Sequence, residues 1–356
     1  MIRSEVKQQT VGIEIAREND SSSRPIIRVL FSVQLLSMIA VTTHHTAMPF
    51  LVKIANKSHF LPTTSVFMME ILKLSFCLII VLIETRSIRK TAKKLHKNIW
   101  QNWWETMKVS VPALVYAVQN NLYYVALANI DATTYSVTLQ LRILTTAILS
   151  VVLLSKKLSG YQWMAQGMAL IGVIVVQLDN SNSRREIAGN FWLGLASVLG
   201  MCWTSAFAGV YFEKMLKNSS ADVWIQNIRL SILTLLFAGI TMLSKDGDAI
   251  ITGNIFHGWT WIVWLVTIGN SIGGLCISLV MKYADNVMKT YCQSLAIGFT
   301  SIVSICLGDR LLSLYLGYGV FLVTSSVVVY SLYPATQPTT PNYKPLKQDI
   351  TEDTDE

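Results

Sequence analysis

Amide and cationic side chains interrupt an apolar stretch that runs from Val111 to Leu154. It holds Gln119, Asn120, Asn121, Gln140 and Arg142 among Leu, Val and Ala. The stretch is long enough for two membrane-spanning helices of about 20 residues each. A guanidinium near the centre of a membrane helix costs roughly 3 kcal/mol or more, so such groups persist where they face a cavity or a partner. We therefore expect this chain to move a polar solute across a membrane.

Arg142 carries the strongest chemical signal in the chain. It lies near the middle of its predicted helix, too deep for its side chain to reach the interface easily. Tyr135, Thr138 and Thr145 share its helix face. The planar fork of donors suits a phosphate group. A buried ion pair between Arg142 and Glu70 is the alternative.

A polar and aromatic stripe lies on the preceding predicted helix. Tyr116, Gln119, Asn120 and Tyr123 follow the i, i+3, i+4, i+7 spacing of one helix face. Amide groups and ring faces suit a nucleobase or a sugar. Interhelical hydrogen bonds that hold the bundle together are the alternative. The stripe favours a cavity lining, because four such residues on one face exceed what packing needs.

Glu70 and Lys73 are three residues apart in an earlier apolar segment and share a helix face. A carboxylate and an ammonium at membrane depth must neutralise one another or a ligand. One interpretation is a satisfied pair that orients the helix. The other is a cavity wall on which Lys73 attracts an anion.

Lys289 lies in the first turns of a late apolar segment, one turn before Gln293. Lys282 and Asp285 precede it, and we expect them at the cytosolic border. Two cations, Arg142 and Lys289, with at most one carboxylate nearby indicate an anionic substrate such as a diphosphate ester.

Composition identifies an all-α polytopic membrane protein. The 356 residues are 52% hydrophobic and 14% charged, against about 25% charged in soluble domains. We predict a transporter domain at 26–333, a cytosolic segment at 1–25 and a disordered cytosolic tail at 334–356. The ten predicted spans lie at about 26–52, 63–84, 107–128, 131–155, 160–178, 189–212, 221–244, 258–281, 287–307 and 311–333.

The Lys and Arg distribution predicts the orientation. With a cytosolic N-terminus, 17 of these residues fall in cytosolic segments and span edges, and 6 fall in the opposite loops. Cytosolic loops carry the excess of positive charge, so we expect both termini in the cytosol. Asn56, in an Asn-Lys-Ser sequon, would then be lumenal and a candidate for N-glycosylation.

An internal repeat relates the fourth and ninth predicted spans. Four residues recur 156 positions later: Ala128, Thr134, Tyr135 and Leu139 match Ala284, Thr290, Tyr291 and Leu295. Segments five spans apart enter the membrane in opposite directions, so this would be an inverted-topology repeat. The alternative is that the four identities arise by chance, because apolar segments use few residue types.

The sequence offers no constellation for catalysis. Walker A, GxSxG and HExxH motifs are absent, as is a carboxylate pair in catalytic spacing. The five cysteines lie in apolar segments without a CxxC pattern, so we expect neither a metal site nor a disulfide framework. We expect no enzyme and no cofactor. We also expect no nucleic-acid partner, because the net charge of +8 reflects the topology of a membrane protein.

The segment YAVQNNLYYVALANIDATTYSVTLQLRILTTAILSVVLLSKKLSGYQW resembles the Golgi nucleotide-sugar transporters. The branch is the one with UDP-galactose, UDP-N-acetylglucosamine and CMP-sialic acid carriers. The similarity continues in SAFAGVYFEKMLK, VWIQNIRL and GGLCISLVMKYADNVMKTY, over spans 2 through 10. It implies the drug/metabolite transporter fold, with ten helices in two inverted five-helix repeats. It also implies exchange of a cytosolic nucleotide sugar for a lumenal nucleoside monophosphate.

The resemblance also implies roles for single residues. Base and ribose contacts would fall on Tyr116, Asn120, Ser205 and Asn227, phosphate contacts on Arg142 and Lys289, and the second-span pair on Glu70 and Lys73. The family pattern YQVTYQLK reads YSVTLQLR here. Ser136 and Leu139 replace Gln and Tyr, which marks them as candidate specificity positions. Arg142 replaces Lys, keeps the charge and adds a bidentate fork.

These features predict a Golgi antiporter that exchanges UDP-galactose and/or UDP-N-acetylglucosamine for UMP. Its partners would be the nucleotide sugar, the nucleoside monophosphate and the lipid bilayer. A carrier of CMP-sialic acid or another anionic sugar phosphate is the alternative within transport. A membrane scaffold that retains glycosyltransferases without transporting is the alternative from another class. A homodimer is left open.

Overall fold

The computed structural model describes residues 33–130, 132–178, 190–219, 222–308 and 314–333. Their secondary structure is helical, which confirms the all-α class. The helices are α1 (Val33–Ser58), α2 (Pro62–Thr85), α3 (Ile88–Leu95), α4 (Trp103–Lys108), α5 (Ser110–Asn129), α6 (Ala132–Leu139), α7 (Arg142–Leu154), α8 (Gly160–Leu178), α9 (Phe191–Asn218), α10 (Val223–Ile251), α11 (Trp261–Tyr283), α12 (Asn286–Cys306) and α13 (Leu314–Leu332). The segments predicted at 1–25 and 334–356 lie outside the described residues.

Several helices are long and apolar enough to cross a membrane. In the described ranges there are seven: α1, α2, the run Val137–Leu154, α9, α10, α11 and α13. α8 contributes a shorter apolar helix, Gly160–Val176. α5 and α12 fall outside this set because amides lower the hydropathy of α5, and Lys289 and Gln293 lower that of α12. The chain is therefore a polytopic membrane protein, and the count of ten spans stays a prediction.

The first, sixth and seventh predicted spans end later in the structure than expected; the sixth, predicted at 189–212, continues to Asn218. The first was expected to end near residue 52, but α1 continues through Pro49 to Ser58 and ends in a 3₁₀ turn at Asn56–Ser58. Proline removes one backbone donor without ending the helix here. The seventh, expected at 221–244, extends to Ile251, with a kink at Asp246.

The fourth predicted span, 131–155, contains a tight turn that divides it into α6 and α7. Between α6 and α7, Gln140 and Leu141 donate their backbone N–H groups three residues back, at 3.1 and 3.0 Å. Such bonds belong to a tight 3₁₀ turn. Interrupted backbone at membrane depth is tolerated where it is buried in protein or lines a cavity. The interruption makes Arg142 the first residue of α7.

Three helix pairs have the most extensive contacts: α2 lies along α10, α5 along α9, and α8 along α13. α7 packs against both α9 and α12. The helices that carry Arg142 and Lys289 are therefore neighbours, although 147 positions separate the two residues in the sequence.

The connection between α2 and α5 is helical, which the sequence did not predict. α3 leads into a π-helical turn, His96–Gln101, and then into α4. Arg229 on α10, 1% exposed, donates to the Asn98 carbonyl in that turn. Lys94 on α3 reaches Glu84 at 3.3 Å and Asp222 at 2.6 Å. These contacts hold the connection against the ends of α2 and α10.

Candidate substrate site

Two cations lie on neighbouring helices, Arg142 on α7 and Lys289 on α12. Arg142 and Lys289 lie within electrostatic range of one another, and Glu213 is the carboxylate that acts on Lys289. Among the described residues, Lys289 has no carboxylate at ion-pair distance. Like charges repel more strongly in a low-dielectric interior than in water. The arrangement therefore favours an anionic group between the two cations.

His45 on α1 belongs to the same region, and sequence reasoning missed it. Its Nδ1 lies 2.9 Å from the Val41 carbonyl, and its Nε2 lies 3.0 Å from the Gln293 amide nitrogen. A carbonyl only accepts, so a neutral ring carries its proton on Nδ1 and accepts from Gln293 at Nε2. Arg142 and Lys289 both interact electrostatically with this ring. Local sequence gives no sign of the contact, because α1 and α12 are far apart in the chain.

An aromatic edge lies within electrostatic range of Arg142. The rings of Tyr123 on α5 and Tyr135 on α6 are T-shaped, with centroids 5.7 Å apart. Tyr123 is 38% exposed, and Tyr135 lies within electrostatic range of Arg142. The Gln119 side-chain carbonyl is buried with no hydrogen-bond partner among the described residues. Ring faces and a spare amide acceptor suit a base or a sugar.

Some predicted site residues cannot be placed. The side chains of Tyr116, Asn120, Asn121 and Ser136 lie outside the described residues. Their roles in base contact, and in sugar choice for Ser136, stay predictions.

Glu70 and Lys73 form a buried ion pair on α2. The Lys73 ammonium lies 2.8 and 2.7 Å from the two Glu70 carboxylate oxygens. Thr234 on α10 donates to the same carboxylate at 2.7 Å. The two charged residues are 5% and 8% exposed. These contacts fit the satisfied-pair interpretation, and contact with a substrate stays a prediction.

Contacts on α11 and α1 run from the Glu70–Lys73 pair to His45, which lies beside the cations. The Lys73 side chain passes beside Gly274, and His44 lies over the neighbouring Gly273. The rings of His44 and His45 are 5.1 Å apart. Small residues on α11 thus permit the close approach of α1 that places His45 in the site.

Asn227 is engaged between helices. Its amide nitrogen donates to the Val223 carbonyl at 2.9 Å, and its oxygen accepts from Ser278 on α11 at 2.8 Å. It is 1% exposed. Ser205 on α9 is 9% exposed. The contacts of Asn227 hold α10 to α11, and the base or ribose contacts expected at Asn227 and Ser205 stay predictions.

The face shared by Thr138, Arg142 and Thr145 meets α9. Thr145 donates to the Cys202 carbonyl at 3.2 Å, and the Cys202 sulfur lies 3.6 Å from the Thr138 and Leu139 carbonyls. Leu139 packs against a hydrophobic cluster of α5 and α9 that includes Ile130. This packing fixes the turn before Arg142. Leu139 as a specificity position stays a prediction.

Glu213 is a buried carboxylate that sequence reasoning did not single out. It is 0% exposed and binds Lys156 at 2.8 Å, Lys217 at 2.7 Å and the backbone N–H of Asn286 at 2.9 Å. Asp285 caps the first turn of α12 by accepting a backbone N–H at 2.6 Å and lies 3.3 Å from Lys156. The group joins the end of α9 to the start of α12, so Asp285 is more than a border residue.

Asn56 is exposed at the end of α1. The hydroxyl of its sequon serine, Ser58, donates to the Ala55 carbonyl at 2.7 Å. Glycosylation of Asn56 stays a prediction. Over the described ranges, no group of three or more His, Cys, Asp or Glu side chains is arranged to hold a metal ion, and all five cysteines are free.

Comparison with known proteins identifies the family of this chain. A family model described as "Nucleotide-sugar transporter" matches residues 29–331. The UDP-N-acetylglucosamine transporter of Bos taurus is 39% identical over 281 residues, which cover 77% of this chain and 86% of that protein. The Homo sapiens protein of the same name is 39% identical over 280 residues, 77% and 86% of the two chains. The UDP-galactose translocator of Mus musculus is 38% identical over 276 residues, 77% and 71% of the two chains.

A solved crystal structure superposes with a TM-score of 0.60 over 85% of this chain and 97% of that chain. At 14% identity it shows the fold alone. The family match spans most of the chain, and the relatives are named as transporters and translocators. This chain therefore belongs to the nucleotide-sugar transporter family, a family of transporters and not of enzymes.

Proposed function

We propose that this chain is a Golgi antiporter that exchanges cytosolic UDP-N-acetylglucosamine and/or UDP-galactose for lumenal UMP. The names of its relatives support the UDP-sugar class. The Golgi location and the exchange for UMP rest on the family resemblance. The observation that carries the proposal is that Arg142 and Lys289 lie within electrostatic range of one another on the packed helices α7 and α12.

The chemistry of the two cations suits a diphosphate ester. Arg142 offers a planar fork that binds two phosphate oxygens, and Lys289 offers a compact point charge. An anion between them removes the repulsion that the empty site must bear. Tyr123, Tyr135 and Gln119 lie on the side where the base or the sugar would stack and form hydrogen bonds.

The mechanism we propose is alternating access by two inverted halves of five spans each. The packing of α2 with α10 and of α8 with α13 supports this, because each pair would join spans five apart. The interrupted helix before Arg142 supports it as well, since transporter sites often lie at discontinuous helices. Exchange follows if the protein with an occupied site switches between its two access states more readily than the protein with an empty site. In the empty site the two cations repel each other.

The proposed orientation has both termini in the cytosol and rests on the distribution of Lys and Arg. On this topology the Glu213 group, with Lys156 and Lys217, lies at the cytosolic end of the bundle. Its ion pairs join α9 and α12 at that end.

The test is counterflow in liposomes that contain the purified full-length protein. We expect internal UMP to accelerate uptake of labelled UDP-N-acetylglucosamine or UDP-galactose, and unlabelled UDP-sugars to compete better than CMP-sialic acid. Arg142→Ala and Lys289→Ala should each abolish uptake. Lys157→Ala, which removes an exposed loop cation, should retain it.

The outcomes separate the alternatives. Uptake indifferent to internal UMP would refute antiport. Preferential competition by CMP-sialic acid would favour the other carrier class. Full activity in both site variants would refute the cation site. No uptake of any nucleotide sugar by a correctly folded protein would favour the scaffold.

A further inference from the structure

α3 has one apolar and one basic face. Ile88, Thr91, Ala92 and Leu95 recur at i, i+3, i+4 and i+7 and face α2. The positions between them are cationic, and Arg89, Lys90 and Lys93 are exposed. Such a helix suits the plane where lipid headgroups meet acyl chains.

An apolar groove of about 290 Å³ lies between α2 and α3. Its lining residues are Leu78, Ile79, Leu82, Ile88, Thr91, Ala92 and Leu95. Ile79 and Ile88 at its margin are 52% and 77% exposed, so the groove opens at the outer surface of the bundle. In a membrane this opening faces lipid, and an acyl chain is the apolar group at hand to fill it.

Five exposed cations lie beside the groove: Arg86, Arg89, Lys90, Lys93 and Lys97. Within the described part of the chain none of the five is in an ion pair. Lys94 differs, because its hydrogen bond to Asp222 raises the pKa of its ammonium above the ordinary value and Glu84 adds to the effect. Lys94 thus anchors α3, while the exposed cations remain available to a ligand.

Three tryptophans mark the depth of this surface. Trp100, Trp103 and Trp104, which follow α3, are 75%, 50% and 67% exposed. Trp103 and Trp104 stack with ring centroids 4.3 Å apart. Exposed tryptophans are enriched at the membrane–water interface. We therefore expect the cations of α3 at the level of lipid phosphates, with the groove just below them.

We propose that this surface is a binding site for an anionic glycerophospholipid. One acyl chain occupies the α2–α3 groove, and the headgroup binds Arg89 and Lys93, one helical turn apart. The anchors at Lys94 and Arg229 hold α3 in place, so the site is formed before the lipid arrives. On the proposed topology the lipid belongs to the cytosolic leaflet, where anionic lipids attract basic segments.

The test measures thermal unfolding of the full-length protein in a neutral detergent. Dioleoylphosphatidylserine and dioleoylphosphatidylcholine are titrated separately, and glycerophosphoserine provides the headgroup without chains. We expect phosphatidylserine to raise the unfolding midpoint at lower concentration than phosphatidylcholine, and glycerophosphoserine to have little effect. Equal midpoint shifts with the two lipids would overturn the proposal.

Variants locate the effect. Arg89→Gln with Lys93→Gln should lower the apparent affinity for phosphatidylserine roughly thirtyfold, because each cation near an anionic surface contributes about a fivefold factor. Ala92→Phe fills the groove without changing charge and should weaken binding of both lipids. The matched control, Lys57→Gln with Lys157→Gln, also removes two exposed cations and should keep the wild-type response. An equal loss in this control would refute the site, and no readout depends on transport.

Discussion

The carboxylate of Glu213 on α9 accepts the backbone N–H of Asn286, the first residue of α12, at 2.9 Å. Lys289 lies one turn further along the same helix. Lys156 and Lys217 bind the other side of the carboxylate. A fully buried acid thus positions the helix that brings the second cation to the site.

Removing this acid should destabilise the protein. We expect Glu213→Ala to lower the free energy of unfolding by about 2 kcal/mol, because it leaves the buried Asn286 N–H without its acceptor and two lysines without their counter-ion. Glu213→Gln should cost less, since its amide oxygen still accepts the Asn286 N–H. Chemical unfolding in detergent measures both. Glu105→Gln, which breaks the exposed pair with Lys108, is the control and should cost under about 1 kcal/mol. Equal losses at Glu213 and Glu105 would contradict the assignment.

A double-mutant cycle at Glu70 and Lys73 separates structure from substrate contact. Each single change, Glu70→Gln or Lys73→Met, should cost about 3 kcal/mol of unfolding free energy by leaving one buried charge unpaired. The double variant should recover much of this loss. If the recovered variant also transports UDP-sugar at the wild-type rate, the pair is structural; persistent loss of uptake assigns it to the substrate path.

His45 and Gln293 should act as a unit. His45→Leu removes the acceptor for the Gln293 amide and should reduce UDP-sugar uptake roughly five- to tenfold, the scale of one lost hydrogen bond of about 1 kcal/mol or slightly more. Gln293→Leu should have a similar effect, and the double variant little more. Initial uptake rates at matched protein levels in liposomes measure the coupling. Fully additive losses would show that the two residues act independently.

Gly273 and Gly274 provide a matched pair on α11. A β-carbon on Gly273 would lie 2.4 Å from the His44 Nε2, whereas one on Gly274 would meet Lys73 Cδ at 3.6 Å, an ordinary contact. We expect Gly273→Ala to lower the free energy of unfolding by about 1–3 kcal/mol through overpacking, and Gly274→Ala to be close to neutral. Thermal unfolding of both variants in one detergent tests the difference. A neutral Gly273→Ala would show that α1 shifts without cost.

The sequence predicted a membrane protein because hydropathy is summed over neighbouring residues and needs no knowledge of the tertiary structure. It also found Arg142 and Lys289, since a cation in an apolar window stands out whatever surrounds it. Sequence reasoning did not predict the 3₁₀ turn within 131–155, because nothing in the hydropathy of Gln140 and Leu141 requires one. The turn depends on packing against α9.

The sequence by itself determined that this is a membrane transporter of the nucleotide-sugar family with two deep cations. Only the tertiary structure decided that the cations lie within electrostatic range of one another, that His45 contacts Gln293 beside them, and that Glu213 is buried and pairs with two lysines. It also decided that α3 folds back to form an apolar groove beside α2. The physical reason is that residue type sets the cost of burying a group, whereas its partners depend on which helices pack together, and residues distant in the chain make those contacts.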